Sequence, residues 1–282
     1  MPEPAILSVE LAGREEGSGS PVLLLHGFGG DRTVWNAILG SLAKEHRVLA
    51  PDLRGHGRSP FPEGSTCSFP EFEGDVLRYL DRHSIDSAHL VGLSAGAFLA
   101  LWVAVHHPAK VRSLTLIGGA AHVGGHTRSV AEEWNRTLRE EGAEALALRL
   151  VKDLYFTDWT DEHLDAVDRI RKQIAQGDLR GPTRWGAAIL TFDLRGRLGS
   201  IRVPTLIAQG MSDVVVDAAQ ARFLRQSITG AELKLFPRTG HTVPVERPEE
   251  LLEALMAFLR AADARPAAGG STVLPSKVPP EA

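Results

Sequence analysis

The chain has 282 residues, enough for one sizeable core with an insertion and too few for three ordinary domains. Hydrophobic residues at 43%, charged residues at 23% and a formal net charge of -4 suit a soluble globular protein and leave no basic footprint for nucleic acid. No apolar run is long enough to cross a bilayer, the N-terminal MPEPAILSVELAG lacks the regions of a secretory signal, and a lone Cys67 excludes an internal disulfide framework, so the expected location is the cytoplasm.

Short apolar runs alternate with longer helical patterns, which predicts an α/β fold with a mostly parallel sheet covered by helices. The stretch GREEGSGSP reads as a loop between early strands. Val22 to Leu25 is the first clear buried strand, and 46–52, 87–92, 111–119, 203–210 and 232–240 read as five more. The segment after Ser94 is apolar nearly all round, so its helix should be buried.

Between about 124 and 198 the strand signals stop. Ser129 with Glu132 suggests a capping box, and Pro182 suits the start of a later helix. Four helices inserted between two strands read as a cap over a core formed by 1–123 and 199–262. Residues 263–282 are rich in Pro, Gly, Ala and Ser without a period, and are expected to be a disordered tail.

Gly92-Leu93-Ser94-Ala95-Gly96 fits G-x-S-x-G between a strand and a helix, the setting of a nucleophile elbow. The helix that starts there directs free N–H groups toward Ser94, where they stabilise developing negative charge. A serine hydroxyl needs a base, and the base an orienting acid. His241 is the histidine that follows the last strand, in a loop ahead of Pro248. Asp213 comes just past the preceding strand, giving the order Ser, Asp, His, while Asp217 with Gln220 three residues on reads as a helix cap. The backbone N–H groups of Phe28, in HGFGG, and of Ala95 are the candidate oxyanion donors.

No metal or cofactor is expected. There is no H-E-x-x-H, no Cys/His cluster and no G-x-x-x-x-G-K-[ST], and His106 and His107 are neighbours that point apart on a helix.

Taken together, LLLHGFGG, APDLRGHGRS, VGLSAGAF, PTLIAQGMSD and GHTVPVERPEEL resemble the α/β-hydrolase fold superfamily, in its branch of capped esterases, lactonases and cofactor-free haloperoxidase-like enzymes. The resemblance runs from about residue 20 to 262 and puts Ser94, Asp213 and His241 on the triad positions and Phe28 and Ala95 on the oxyanion positions. Serine at position 94 separates the chain from dehalogenase and epoxide hydrolase relatives, which carry aspartate there. Where many relatives have a bulkier residue and then two glycines, this chain has Ala95-Gly96-Ala97. The implied reaction is hydrolysis of a small, largely apolar ester or lactone by water through an acyl-enzyme on Ser94. The same fold also hosts C–C bond and thioester hydrolysis, perhydrolysis and lyase steps, and a capped cavity can serve a receptor. Trp134, Phe156, Trp159 and Trp185 of the cap are the candidates for lining the substrate pocket.

Overall fold

A computed structural model describes residues 9–265. Among these residues seven strands form one sheet: β1 (Gly13–Glu16), β2 (Ser20–Leu25), β3 (His46–Pro51), β4 (Ala88–Leu93), β5 (Val111–Ile117), β6 (Thr205–Gly210) and β7 (Glu232–Phe236). Their order is β1-β3-β2-β4-β5-β6-β7, with β1 antiparallel to β3 and every other pair parallel. The GREE segment, expected to be loop, is therefore a strand. It is a mostly exposed edge strand with no apolar residue to announce it.

The helices are α1 (Asn36–Leu42), α2 (Phe69–Arg82), α3 (Ala95–His106), α4 (Gly125–Glu140), α5 (Ala143–Leu154), α6 (Thr157–Glu162), α7 (Leu164–Gln176), α8 (Arg180–Ile189), α9 (Ala218–Ser227), α10 (Val243–Glu246) and α11 (Pro248–Asp263). Alternate residues of β2 feed two cores on opposite faces of the sheet. Val22 and Leu24 pack with Trp35 and Ile38 beside α1 and with Leu251 and Leu255 of α11. Leu23 and Leu25 join the core of Phe72 from α2, Phe98 from α3 and Leu224 from α9. With both faces covered, the central strands are mostly apolar, and β4 and β6 are buried at every residue, including the polar His89, Thr205 and Gln209. No helix among the described residues is long and apolar enough to cross a membrane.

The chain steps outward from β2 to β3 and then returns to the other side of β2 with β4. Such a reversal opens a crevice at the C-terminal ends of the strands, where open α/β sheets place ligands. The loop after β2 and the turn after β4 meet at that crevice.

Helices α4 to α8 lie between β5 and β6, entered and left at an isolated bridge between His122 and Asp193. They number five rather than the expected four, because 157–162 forms a separate short helix, α6. Leu146, Ala147, Leu150 and Ile174 give α5 and α7 a small core of their own. Ser129 caps nothing: α4 already starts at Gly125, and the Ser129 hydroxyl donates back to the Gly125 carbonyl at 3.0 Å. Asp263, assigned to the tail by composition, is instead the last residue of α11, and its carboxylate accepts from the Ser20 hydroxyl at 2.8 Å. Residues 266–282 of the expected tail lie outside the described residues.

Candidate functional site

Ser94 sits between β4 and α3 with φ 52° and ψ -115°, a conformation that L-residues avoid and that cores impose where a side chain must be presented. The surrounding contacts hold it there. Ser94 N–H donates to the Ile117 carbonyl at 2.8 Å, and its own carbonyl accepts the first bonds of α3, from Ala97 and Phe98. A Cβ on Gly92 would run into the Gly96 carbonyl, and one on Gly96 into the Leu25 carbonyl, so the close crossing of strand and helix requires glycine at both positions. From Val91 to Ala100 only Ser94 is not fully buried.

Asp213 follows β6 and is fixed before it meets any partner from elsewhere. Its Oδ1 accepts the Val215 and Val216 N–H groups at 2.8 and 2.9 Å, and its Oδ2 accepts Gln209 Nε2 at 2.9 Å. The same Oδ2 lies 2.7 Å from His241 Nδ1, with both side chains buried. A carboxylate at that nitrogen places the imidazole proton on Nδ1 and leaves Nε2 as the lone-pair nitrogen. Nε2 is buried and has no hydrogen-bond partner among the described residues. Asp217 does a different job, accepting from the Ala219 and Gln220 N–H groups at the start of α9.

Ser94 and His241 face one cavity of about 350 Å³, together with Gly27, Phe28 and Thr242. Ala95 is the first residue of α3, buried directly behind Ser94. The cap closes the cavity from above with Trp134, Leu150, Leu154 and Ile170, and the Phe28 ring stacks on Trp134 at 5.8 Å. Trp134 is fixed by its indole N–H, which donates to Asp153 at 2.8 Å.

The other three aromatic candidates lie outside this lining. Trp185 is 1% exposed, stacks on Phe72 at 3.5 Å and donates to the Arg54 carbonyl, which makes it a joint between cap and core. Trp159 is stacked between Tyr155 and His163. Phe156 reaches the region only through its backbone N–H, which donates to Glu246 at 3.0 Å. Aromatic residues announce apolar area in a sequence, but not which face of a helix they occupy.

Several polar residues at the site were not singled out from the sequence. Arg169 and Gln173 of α7, Asp31 and Tyr155 also line the cavity, and Gln173 Nε2 donates to Asp31 Oδ2 at 2.9 Å, tying the cap to the loop after β2. A helical spacing of four between Arg169 and Gln173 is the signal that could have placed them on one face.

His26 and His56 take part in structure. His26 Nε2 accepts the Leu53 N–H and Nδ1 donates to the Gly27 carbonyl, both at 2.8 Å, which spans the end of β3 and the glycine loop. The rings of His26 and His56 meet edge-on at 5.1 Å. Burial pushes His26 down to about 4 and His56 down to about 3, so both are neutral at ordinary pH. Among the described residues no group of three His, Cys, Asp or Glu side chains could hold a metal ion.

The profile of the alpha/beta hydrolase fold family matches residues 20–248. A relative from Azorhizobium caulinodans that bears the name "Putative carbamate hydrolase RutD" is 31% identical over 244 residues, covering 86% of this chain and 92% of its own. The 3-oxoadipate enol-lactonase 1 of Acinetobacter baylyi is 27% identical, covering 90% of this chain and 93% of its own. The crystal structure of the enol-lactonase from Burkholderia xenovorans LB400 superposes with a TM-score of 0.84 at 29% identity, over 89% of this chain and 97% of that one. The chain belongs to the α/β-hydrolase fold family, in its esterase and lactonase branch.

Proposed function

We propose that this protein is a serine hydrolase that cleaves a small, largely apolar carboxylic ester or lactone through an acyl-enzyme on Ser94. The observation that carries the reading is the buried Asp213–His241 pair at 2.7 Å beside the strained Ser94, both Ser94 and His241 facing one cavity beneath the cap. His241 Nε2 takes the proton as Ser94 Oγ attacks the carbonyl carbon. The backbone N–H groups of Phe28 and Ala95 receive the negative charge on the carbonyl oxygen. Collapse of the tetrahedral intermediate expels the alcohol, which takes the proton from His241; in a lactone that alcohol stays attached to the acyl group. Water, deprotonated by His241, then attacks the acyl-enzyme and restores the serine. Asp213 holds the imidazole in the required tautomer throughout.

The cap, 124–198, would select the substrate. Its contribution to the cavity is mostly apolar, through Trp134, Leu150 and Ile170, which favours a compact acyl chain or ring. The relatives named for enol-lactone and carbamate hydrolysis support attack on an acyl carbon bearing a heteroatom leaving group. The test is a panel of p-nitrophenyl acetate, p-nitrophenyl butyrate, a γ-lactone, an acyl thioester and a vinylogous diketone. Turnover of the esters or the lactone, with no added metal or cofactor, is the expected result. Turnover of the thioester or diketone alone would replace this reading.

A further inference from the structure

Glu246 lies five residues after His241 and is 4% exposed, yet no cation pairs with it among the described residues. Its carboxylate is held by three backbone N–H groups and by the Thr242 hydroxyl, which donates to Oε1 at 3.2 Å. Oε2 accepts from Gly240 N–H at 2.8 Å and from Phe156 N–H at 3.0 Å, and Oε1 accepts from Thr242 N–H at 3.2 Å. Gly240 and Thr242 are the neighbours of His241 on either side. The N–H of His241 itself donates to the Leu154 carbonyl at 2.9 Å, and the Thr242 N–H is shared between that carbonyl and Glu246. Three consecutive N–H groups around the imidazole are therefore bound either to Glu246 or to the end of α5. The two backbones press together: a Cβ on Gly240 would stand 2.8 Å from Phe156 N and 2.9 Å from the Leu154 oxygen.

A buried carboxylate without a counter-ion is costly, and it persists only where several aligned donors hold it. Helix α10 is itself short, and a neutral side chain would serve to pack it. The charge is explained by what it holds, the peptide groups flanking His241 and the first peptide group after α5. We propose that Glu246 is a positioning residue for His241, clamping the loop that carries the base and tying it to the Leu154–Phe156 segment of the cap. This rests on His241 being the base of the reaction proposed above. Displacement of the cap is then transmitted to the imidazole through backbone hydrogen bonds, without any side chain of the cap touching the substrate.

The test uses p-nitrophenyl acetate turnover by the full chain. Glu246→Gln keeps the shape but turns an NH₂ group toward backbone donors, so kcat should fall by about 100-fold, as for a slightly misplaced catalytic group. KM should stay within about threefold, because the loss is confined to the transition state. A second pair of variants keeps Glu246 and does not depend on Glu246→Gln folding. Phe156 has φ -70° and ψ 139°, and Tyr155 before it φ -118° and ψ 147°, angles that proline and its predecessor adopt. Phe156→Pro removes the N–H that binds Glu246, whereas Phe156→Ala removes only the ring. A kcat for the proline variant about tenfold below that of the alanine variant, at equal KM, supports the clamp. Equal kcat for the two, or wild-type kcat in Glu246→Gln, overturns it. So does a loss in which kcat, KM and melting temperature move together. Wild-type turnover by Ser94→Ala would instead remove the underlying reading of the site, whatever the Glu246 variants do.

Discussion

Asp213 and His241 stand 28 positions apart in the chain and 2.7 Å apart in the fold, and the contrast with Asp217 shows what makes an orienting acid. Asp217 spends its carboxylate on two N–H groups of its own helix. Asp213 satisfies one oxygen locally, through Val215 and Val216, and keeps the other for Gln209 and the imidazole. Asp213→Asn should leave the fold intact but favour the wrong tautomer of His241, lowering turnover by up to about 10⁴. Asp217→Asn should retain nearly full activity, because asparagine caps a helix about as well as aspartate. Steady-state kinetics of the two variants decides between them, and the reverse pattern would reassign the acid. The histidines at 26 and 56 predict a different effect. Both are held neutral by burial, whereas an unfolded histidine titrates near 6.5. Below pH 6.5 the unfolded chain therefore binds protons that the folded protein refuses until about pH 4 at His26 and about pH 3 at His56. Stability is complete above pH 6.5 and falls as pH drops through that window, by roughly 3 kcal/mol from His26 alone. Urea unfolding between pH 7.5 and 4.5 checks this, and a midpoint that stays level across the range would contradict it.

At the level of elements, the cap divides its aromatic residues between two tasks. Trp134 on α4 faces the cavity and stacks on Phe28, while Trp185 on α8 is sandwiched into the core against Phe72. Trp134→Ala should enlarge the cavity and shift preference toward longer acyl chains by about tenfold, with the acetyl ester little affected. Trp185→Ala should cost about 3–5 kcal/mol of stability with no change in the ranking of esters. Acyl-chain selectivity and thermal unfolding, measured on both variants, separate the two roles. A changed ester ranking in Trp185→Ala would return that residue to the pocket wall. A sequence reader sees four aromatic residues of similar promise in this insert, since amphipathic period identifies a buried stripe without saying whether it faces a neighbour helix or an opening.

For the molecule as a whole, the inner parallel strands are legible because β2, β4 and β6 are buried along almost their whole length and read as short, mostly apolar runs, while β7 at the edge is half exposed and shows as an alternation of charged and apolar residues. The β1 edge is not, since GREE pairs through its backbone alone and leaves its side chains to solvent. Positions 94, 213 and 241 stand out because each closes a strand at the same edge of the sheet, where the reversal of strand order opens the crevice. Glu246 is hidden for the opposite reason: apart from the Thr242 hydroxyl, its partners are backbone N–H groups, which have no signature in a sequence, and one of them arrives from 90 positions away. Arg169 and Gln173 are hidden because a charged residue on an amphipathic cap helix ordinarily marks its solvated face. The central claim, that Ser94 is the nucleophile, is most directly tested by treating the protein with a fluorophosphonate and locating the adduct by mass spectrometry. The expected result is a single adduct on Ser94, absent from a folded Ser94→Ala variant that also no longer hydrolyses p-nitrophenyl acetate. An adduct on another residue, or a Ser94→Ala variant that still turns over the ester at the wild-type rate, would contradict it.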